Sequence, residues 1–236
     1  MMGMVVAVGV GAAAFLVMHG YEEVPTNAVQ ESTESVKESK ENQTDVSKLA
    51  KDAPSNEEMF ANIEARIEEF PHDRVRVYKY GAALVGLGEF DRAEKFYRKQ
   101  LDMFPTDVQI AYGLGWCHEK NKRWAEAVEA YTWATRIDRK HRRSKNNLAW
   151  VLATAPDKKV RNGSRAVSLA RQAIGNQQPP DPMYMDTLAA AYAEAGSFRN
   201  AVKIQRYVSR KTEGASEGVE KRLKLYLNRK PYRMAE

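Results

Sequence analysis

Apolar and polar positions follow three different patterns along the chain. Residues 1–18, MMGMVVAVGVGAAAFLVM, carry no charged side chain. As a helix they would reach roughly 27 Å, just short of a ~30 Å hydrocarbon core. Residues 22–55 are rich in Glu, Ser, Lys, Thr, Asn and Gln and show no apolar period. Such a stretch cannot bury enough surface to offset the entropy of ordering it. From residue 57 onward apolar residues recur at helical spacing, separated by short turns rich in Gly, Pro, Asn and Asp. The predicted organisation is an apolar start over 1–20, a disordered acidic tether over 21–55, an all-α body over 56–213 and a terminal helix with a basic tail over 214–236.

Within the body the pattern repeats. Gly81 and Gly115 are 34 positions apart, as are Ala93 and Ala127, Tyr97 and Tyr131, Tyr80 and Leu114, Phe90 and Trp124, and Pro71 and Pro105. Further copies of the pattern place Leu148 and Leu188 at the Tyr80 position, and Ala149 and Ala189 at the Gly81 position. Two helices that cannot bury their apolar faces alone acquire a core by stacking on the next pair. Where they cross closely they need almost no side chain, although glycine in a helix costs ~1 kcal/mol relative to alanine. Leu84, Phe90, Tyr97, Trp124, Tyr131, Tyr192 and Phe198 supply the bulk that fills the gaps. Gly88 and Gly196 suit the left-handed turn that ends a first helix. Asp181-Pro182 reads as an N-cap followed by a first-turn proline.

A 34-residue period with these residue types resembles the tetratricopeptide repeat (TPR) family over residues 57–213. The resemblance implies an all-α TPR-type α-solenoid, a right-handed superhelix of helix-turn-helix repeats. The repeats are 74–105, 108–139, 142–176 and 182–211, preceded by an orphan second helix over 57–70. From Asn146 to Arg233, the runs NNLAWVLATAPDKKVRNGSRAVSLARQAI, DTLAAAYAEAGSFRNAVKIQ and RLKLYLNRKPYR resemble the C-terminal module of bacterial TPR proteins. That implies a solvating last helix, with Val219, Leu223, Leu225 and Tyr226 inward and Lys221, Arg222 and Lys224 wet. In the third repeat the spacing from Leu148 to Ala166 is 18, against 13 in the others. The five extra residues fall in TAPDKKVRNGS and predict a longer exposed loop.

The stretch AYGLGWCHEK, residues 111–120, raises the question of chemistry. Gly113-x-Gly115 lies inside a predicted helix, whereas a phosphate cradle needs a strand-to-helix loop. Cys117 and His118 stand about 100° apart around that helix, and the chain has one Cys and four His. No metal, cofactor or catalytic residue is expected, and Cys117 reads as a small packed side chain. The acids Asp186 and Glu194 are eight positions apart, roughly 12 Å along a helix, too far for most glycosidase pairs.

The family register implies a groove lined by first helices, at Tyr78, Lys79, Tyr112, Trp116, Arg143, Asn146, Asn147, Trp150 and Asp186. Rings beside amide and guanidinium groups suit an extended peptide. For Trp116 and Trp150, packing between repeats is the equal alternative. Tyr78, Ala82 and Gly113 stand where some family members grip a terminal carboxylate, so an internal segment is the expected ligand. The implied function is a membrane-tethered, non-catalytic scaffold or adaptor for a protein or peptide partner. A self-assembling scaffold or an accessory subunit of an envelope enzyme complex is the alternative.

Charge and targeting refine this picture. Residues 21–55 hold eight acids against four lysines, a net of −4, so 56–236 carry +10 against a total of +6 for the chain. A basic patch of Arg136, Arg139, Lys140, Arg142 and Lys145 marks one inter-repeat turn. It is read as a solvated turn, or as a site for an acidic protein or lipid headgroup; nucleic acid is disfavoured because no aromatic interleaves it. Residues 1–20 are read as a signal anchor, with a signal peptide cleaved after Ala12-x-Ala14 as the alternative. Lys and Arg are sparse on both flanks, and Lys37 is the nearest downstream cation. The expected location is the inner membrane, single-pass, with the domain periplasmic or external, or secreted if the segment is cleaved.

Overall fold

The computed structural model describes residues 55–176, 178–212 and 217–235. The apolar start and nearly all of the tether lie outside them. The described residues form ten α-helices and no strand, and none of these helices is long and apolar enough to cross a membrane. The chain divides into two compact units, Met1–Ala83 and Leu84–Glu236.

In the first unit, α1 (Asn56–Glu69) opens with a capping box. The Glu58 N–H donates to Ser55 Oγ at 3.2 Å, and the Ser55 N–H donates to Glu58 Oε2 at 2.8 Å. Phe60 and Ile67 turn inward. Phe60 meets the ring of Tyr80 edge-on at 6.3 Å. Tyr80 belongs to α2 (Arg74–Leu87) and its hydroxyl donates to Glu64 at 2.5 Å.

The second unit continues through α3 (Phe90–Met103), α4 (Val108–Lys120), α5 (Trp124–Ile137), α6 (Arg142–Thr154), α7 (Gly163–Ile174), α8 (Pro182–Glu194), α9 (Phe198–Lys211) and α10 (Glu217–Leu227). Helices pack as pairs α4–α5, α6–α7 and α8–α9, and α3–α4, α5–α6, α7–α8 and α9–α10 join them into a stack. The first helices α6 and α8 also touch directly.

Side-chain oxygens start several of these helices. Asp107 accepts from the N–H groups of Gln109 and Ile110, Asn162 from Arg165, and Asp181 from Met183 just after Pro182 at the first turn. Three first helices end in one way. Gly88 N–H donates to Val85 and Glu89 N–H to Leu84; Lys122 donates to Glu119 and Arg123 to His118; Gly196 donates to Ala193 and Ser197 to Tyr192. This paired closure is the Schellman motif, and the residue at its hinge has positive φ: 82° at Gly88, 58° at Lys122 and 77° at Gly196. Lys122 holds a position that favours glycine.

The small residues sit where the stack is tightest. Gly115, Ala149 and Ala189 are buried. A Cβ placed on Gly113 would lie 2.5 Å from the Tyr97 ring, and one on Gly115 would lie 2.5 Å from the Tyr131 ring. Each glycine vacates the space that a tyrosine 16 residues away fills.

The third repeat departs from the others. Its first helix, α6, runs into Ala155-Pro156 with no Schellman closure. The inserted loop is exposed at Asp157, Lys158 and Lys159 but is pinned on both sides. Asn162 N–H donates to Leu152 O at 2.8 Å, and the Arg161 guanidinium donates to the carbonyls of Ala155 at 2.8 Å and Pro156 at 2.6 Å. The expected exposed loop is therefore half anchored, because Arg161 satisfies carbonyls that the missing closure leaves over.

Gly115→Ala is expected to lower stability by about 1–3 kcal/mol, since the Tyr131 ring must shift. Lys122→Gly is expected to raise it by about 0.5–1 kcal/mol, because relief of the left-handed strain exceeds the entropy gained by the unfolded chain. Urea unfolding of the two variants and the parent checks both signs.

Candidate peptide-binding wall

In the second unit the first helices α4, α6 and α8 carry the residues assigned to a groove, and the structure separates them into two groups. One group lies between α4 and α6. Asn147 Nδ2 donates to the hydroxyls of Tyr112 at 3.3 Å and Tyr131 at 3.1 Å, and Tyr131 in turn donates to Glu119 at 2.6 Å. Tyr112 meets Tyr131 with ring centroids at 5.8 Å and His141 edge-on at 5.5 Å. Trp116 is half-buried and packs on the same apolar cluster as Tyr112, while Arg143 is exposed. Burial raises the pKa of Glu119 against the opposing bond from Tyr131, and burial with the nearby Glu119 raises that of Tyr112.

The second group lies on α6 and α8, and the chain's own last residues cover it. Asp186 accepts two bonds from the Arg222 guanidinium, at 2.9 and 2.7 Å, and a third from Gln205 at 2.7 Å. Arg222 also lies over the Trp150 and Tyr232 rings, 5.5 Å from each centroid. Tyr232 stacks on Trp150 at 5.8 Å with 36° between the planes. Arg233 donates to Glu194 at 2.5 Å and to Ala153 O at 3.4 Å, and Met234 N–H donates to Thr154 O at 2.9 Å. Glu194 is held from its other side by Arg161 at 3.0 Å.

The path of this last segment follows from a turn. After α10, Arg229 N–H donates to Tyr226 O and Lys230 N–H to Leu225 O, with Arg229 at φ 55°. This Schellman closure, with Pro231 following, ends the helix and reverses the chain. The open end of α6 then receives it. Ala153 O, at the position where Glu119 and Ala193 accept in the closures of α4 and α8, accepts from Arg233 here, and the last-turn carbonyl of Thr154 accepts from Met234 N–H.

Several assignments change as a result. Arg222 was expected on a wet helix face, but it is the partner of Asp186 and its side chain is 12% exposed. Asp186 is engaged within the chain. Asn146 is buried; its Nδ2 donates to Asn147 Oδ1 at 3.4 Å, and its Oδ1 has no hydrogen-bond partner. Trp150 both packs on the core cluster and presents a ring to Tyr232. Arg142 leaves the basic patch: its guanidinium donates to the carbonyls of Ala173 and Ile174 at the end of α7 and stacks on Tyr184. Arg136, Arg139 and Lys140 are exposed and Lys145 is half-buried. In the first unit, Lys79 is exposed and Tyr78 half-buried on α2.

The Asp186–Glu194 pair weighed as chemistry consists of two anchors, each bound to arginine. Cys117 is buried, with its thiol 3.4 Å from Phe90 O, and burial pushes its pKa up to about 11. No group of acids, His and Cys among the described residues could hold a metal. A feature not anticipated from the sequence is an open cleft at α9 and α10 lined by Arg199, Lys203, Arg206, Arg210 and Arg229 with Phe198 and Tyr226. Its signal was present in the 4-3-4 spacing of the four α9 cations.

Helix pairs with small residues under tyrosines, stacked in register and ending in matched closures, define a tetratricopeptide repeat protein. Residues 78–141 match the tetratricopeptide repeat family model, and the helix pairs that follow them continue the same fold. TTC0263, a thermophilic TPR protein in Thermus thermophilus, superposes with a TM-score of 0.55 at 15% identity, over 72% of this chain and 89% of that one. MamA from Desulfovibrio magneticus RS-1 gives 0.55 at 17% identity, over 74% and 95%. The MamA MSR-1 C2 structure gives 0.51 at 18%, over 68% and 88%. At these identities the likeness is one of fold. No curated protein matches.

Glu119→Gln tests the polar link between α4 and α6. The carboxyl's folded pKa lies above its ordinary 4.5. Its ionisation therefore costs stability above that folded pKa, and the cost disappears as pH falls to 4.5. The variant, which keeps an acceptor for Tyr131, is expected to melt higher than the parent at pH 7 and to lose that advantage at pH 4.5. Thermal melts at the two pH values read it.

Proposed function

We propose that the chain is a membrane-tethered, non-catalytic scaffold that holds a partner protein by an extended segment laid on the wall of first helices. The observation that carries this reading is that the wall already holds such a segment. Residues 232–234 lie without helical structure against α6 and α8, using ring stacking, an arginine–carboxylate pair and one backbone bond. The adjoining surface, with Tyr112, Trp116 and the exposed Arg143, is likewise aromatic but cationic, and among the described residues no such segment lies on it. We assign the partner to that surface, and it is anionic near Arg143 and the exposed turn cations.

Tethering is the second half of the proposal. An apolar stretch over 1–20 followed by a polar, acidic one suits a bilayer anchor that raises local concentration without fixing orientation. The domain would then face the periplasm or exterior.

Crosslinking and affinity capture with the intact chain is expected to recover associates that a Trp116→Ala/Arg143→Glu variant loses. Identical recoveries would remove the partner surface from these residues. Membrane fractionation with and without residues 1–20 tests the tether, and the intact chain is expected in the membrane pellet.

A further inference from the structure

We propose that the α6–α8 wall is a recognition site for an extended aromatic–arginine–aliphatic segment, and that Tyr232, Arg233 and Met234 occupy it as a displaceable ligand in cis. This rests on reading the first-helix wall as a partner surface, and it adds both the chemistry of the ligand and a gate on the site.

The contacts are those of a bound peptide. Each of three consecutive residues goes to its own subsite: Tyr232 to the Trp150 ring, Arg233 to Glu194, and the Met234 N–H to the Thr154 carbonyl. Helical neighbours in the stack meet instead through buried side chains. The occupying residues are only half-buried, and Lys230 before them is exposed. Met234 and Tyr232 rest on the core clusters, but neither is enclosed as the core side chains are.

The site is built without them. Trp150 packs on the core cluster of α6, α7 and α8. Arg222 is fixed over it by both oxygens of Asp186, which Gln205 also holds. Glu194 keeps Arg161, whose side chain is 12% exposed, as a second cation. Removing the segment therefore leaves an oriented ring, an oriented carboxylate and two helix-end carbonyls. A ligand with a different pattern would leave Glu194 Oε2 or those carbonyls without the donor that Arg233 and Met234 supply.

The turn at Arg229 links ligand and site through a few residues, so the cis segment is present at a very high effective concentration. A separate segment of the same chemistry competes poorly until the cis copy is released. Binding a partner there and freeing residues 232–234 are then one equilibrium.

The test uses a labelled peptide with the sequence of residues 228–236, NRKPYRMAE, and fluorescence anisotropy. It is titrated into the intact chain and into a chain ended after Leu227. The shortened chain is expected to keep its helical circular dichroism and to bind the peptide at least about tenfold more tightly than the intact chain. Trp150→Ala or Glu194→Gln in the shortened chain should abolish that gain, and a Tyr232→Ala/Arg233→Ala peptide should not bind. Equal affinities, no binding, or a shortened chain that no longer folds would overturn the proposal. Amide exchange in the intact chain gives an independent reading. Met234 N–H should exchange at least about a hundredfold faster than the buried amides of α6, and equal protection would make the segment part of the core. Dimerisation of the intact chain that disappears on shortening would overturn occupancy in cis. Trp116→Ala should leave peptide binding unchanged. If that variant with Arg143→Glu loses its associates while the peptide fails to bind, this inference falls and the broader reading stands.

Discussion

A tyrosine ring stands where a Cβ would be. At Gly113 and Gly115 that substitution sets the distance between successive helices, because Tyr97 and Tyr131 reach within 2.5 Å of the missing atom. Interiors are packed too tightly for such a ring to find room elsewhere. The consequence extends beyond packing. Pressed against Gly115, Tyr131 is held with its hydroxyl at Glu119 and Asn147, and Asn147 reaches Tyr112. The same contact that closes the stack therefore orients the polar side of the α4–α6 wall.

Much of this was legible because it is periodic or local. The 34-residue spacing exposed the glycine–tyrosine register, and the caps at Asp181-Pro182, Gly88 and Gly196 could be read from single turns. Other features involve partners far apart in sequence, with no period to show them. Arg222 finds Asp186 across 36 positions, Arg233 finds Glu194 across 39, and Arg142 reaches the end of α7 across 31. By local pattern each of these arginines belongs to a solvated face. A long side chain with a planar fork can turn inward wherever a carboxylate or a row of carbonyls lacks donors. Asn146 and Asn147 differ by about 100° around their helix; Asn147 reaches the tyrosine hydroxyls, while Asn146 is buried and reaches Asn147.

The irregular repeat and the segment after α10 explain each other. Gly88, Lys122 and Gly196 end their helices by consuming the last carbonyls internally. The five-residue insertion in the third repeat displaces that closure from α6. Its carbonyls must then be satisfied from outside, since an unpaired buried C=O is costly. Asn162 N–H takes Leu152 O and Arg233 takes Ala153 O, the two positions that the closures fill elsewhere; Arg161 takes Ala155 O and Pro156 O, and Met234 N–H takes Thr154 O, which the closures do not use. A departure from the repeat pattern thus leaves Ala153 O to an extended segment, beside a Thr154 carbonyl that the closures do not use.

The two groups on the wall have opposite electrostatic preferences. On α6 and α8 the fixed charges at the docking site include the carboxylates of Asp186 and Glu194, and the occupant contributes an arginine. Near the α5–α6 turn the exposed charges are Arg136, Arg139, Lys140 and Arg143. The cleft at α9 and α10 repeats that positive character with five cations and no acid. Cations of the α5–α6 turn and of the cleft therefore make surfaces that attract anions, while the place that holds a peptide-like segment takes a cation. Attraction over a Debye length draws an acidic partner to the first kind of surface whatever its sequence. Only a segment able to place a ring on Trp150 and a guanidinium on Glu194 gains at the second. Capture and discrimination are assigned to different residues, and a single long partner could meet both.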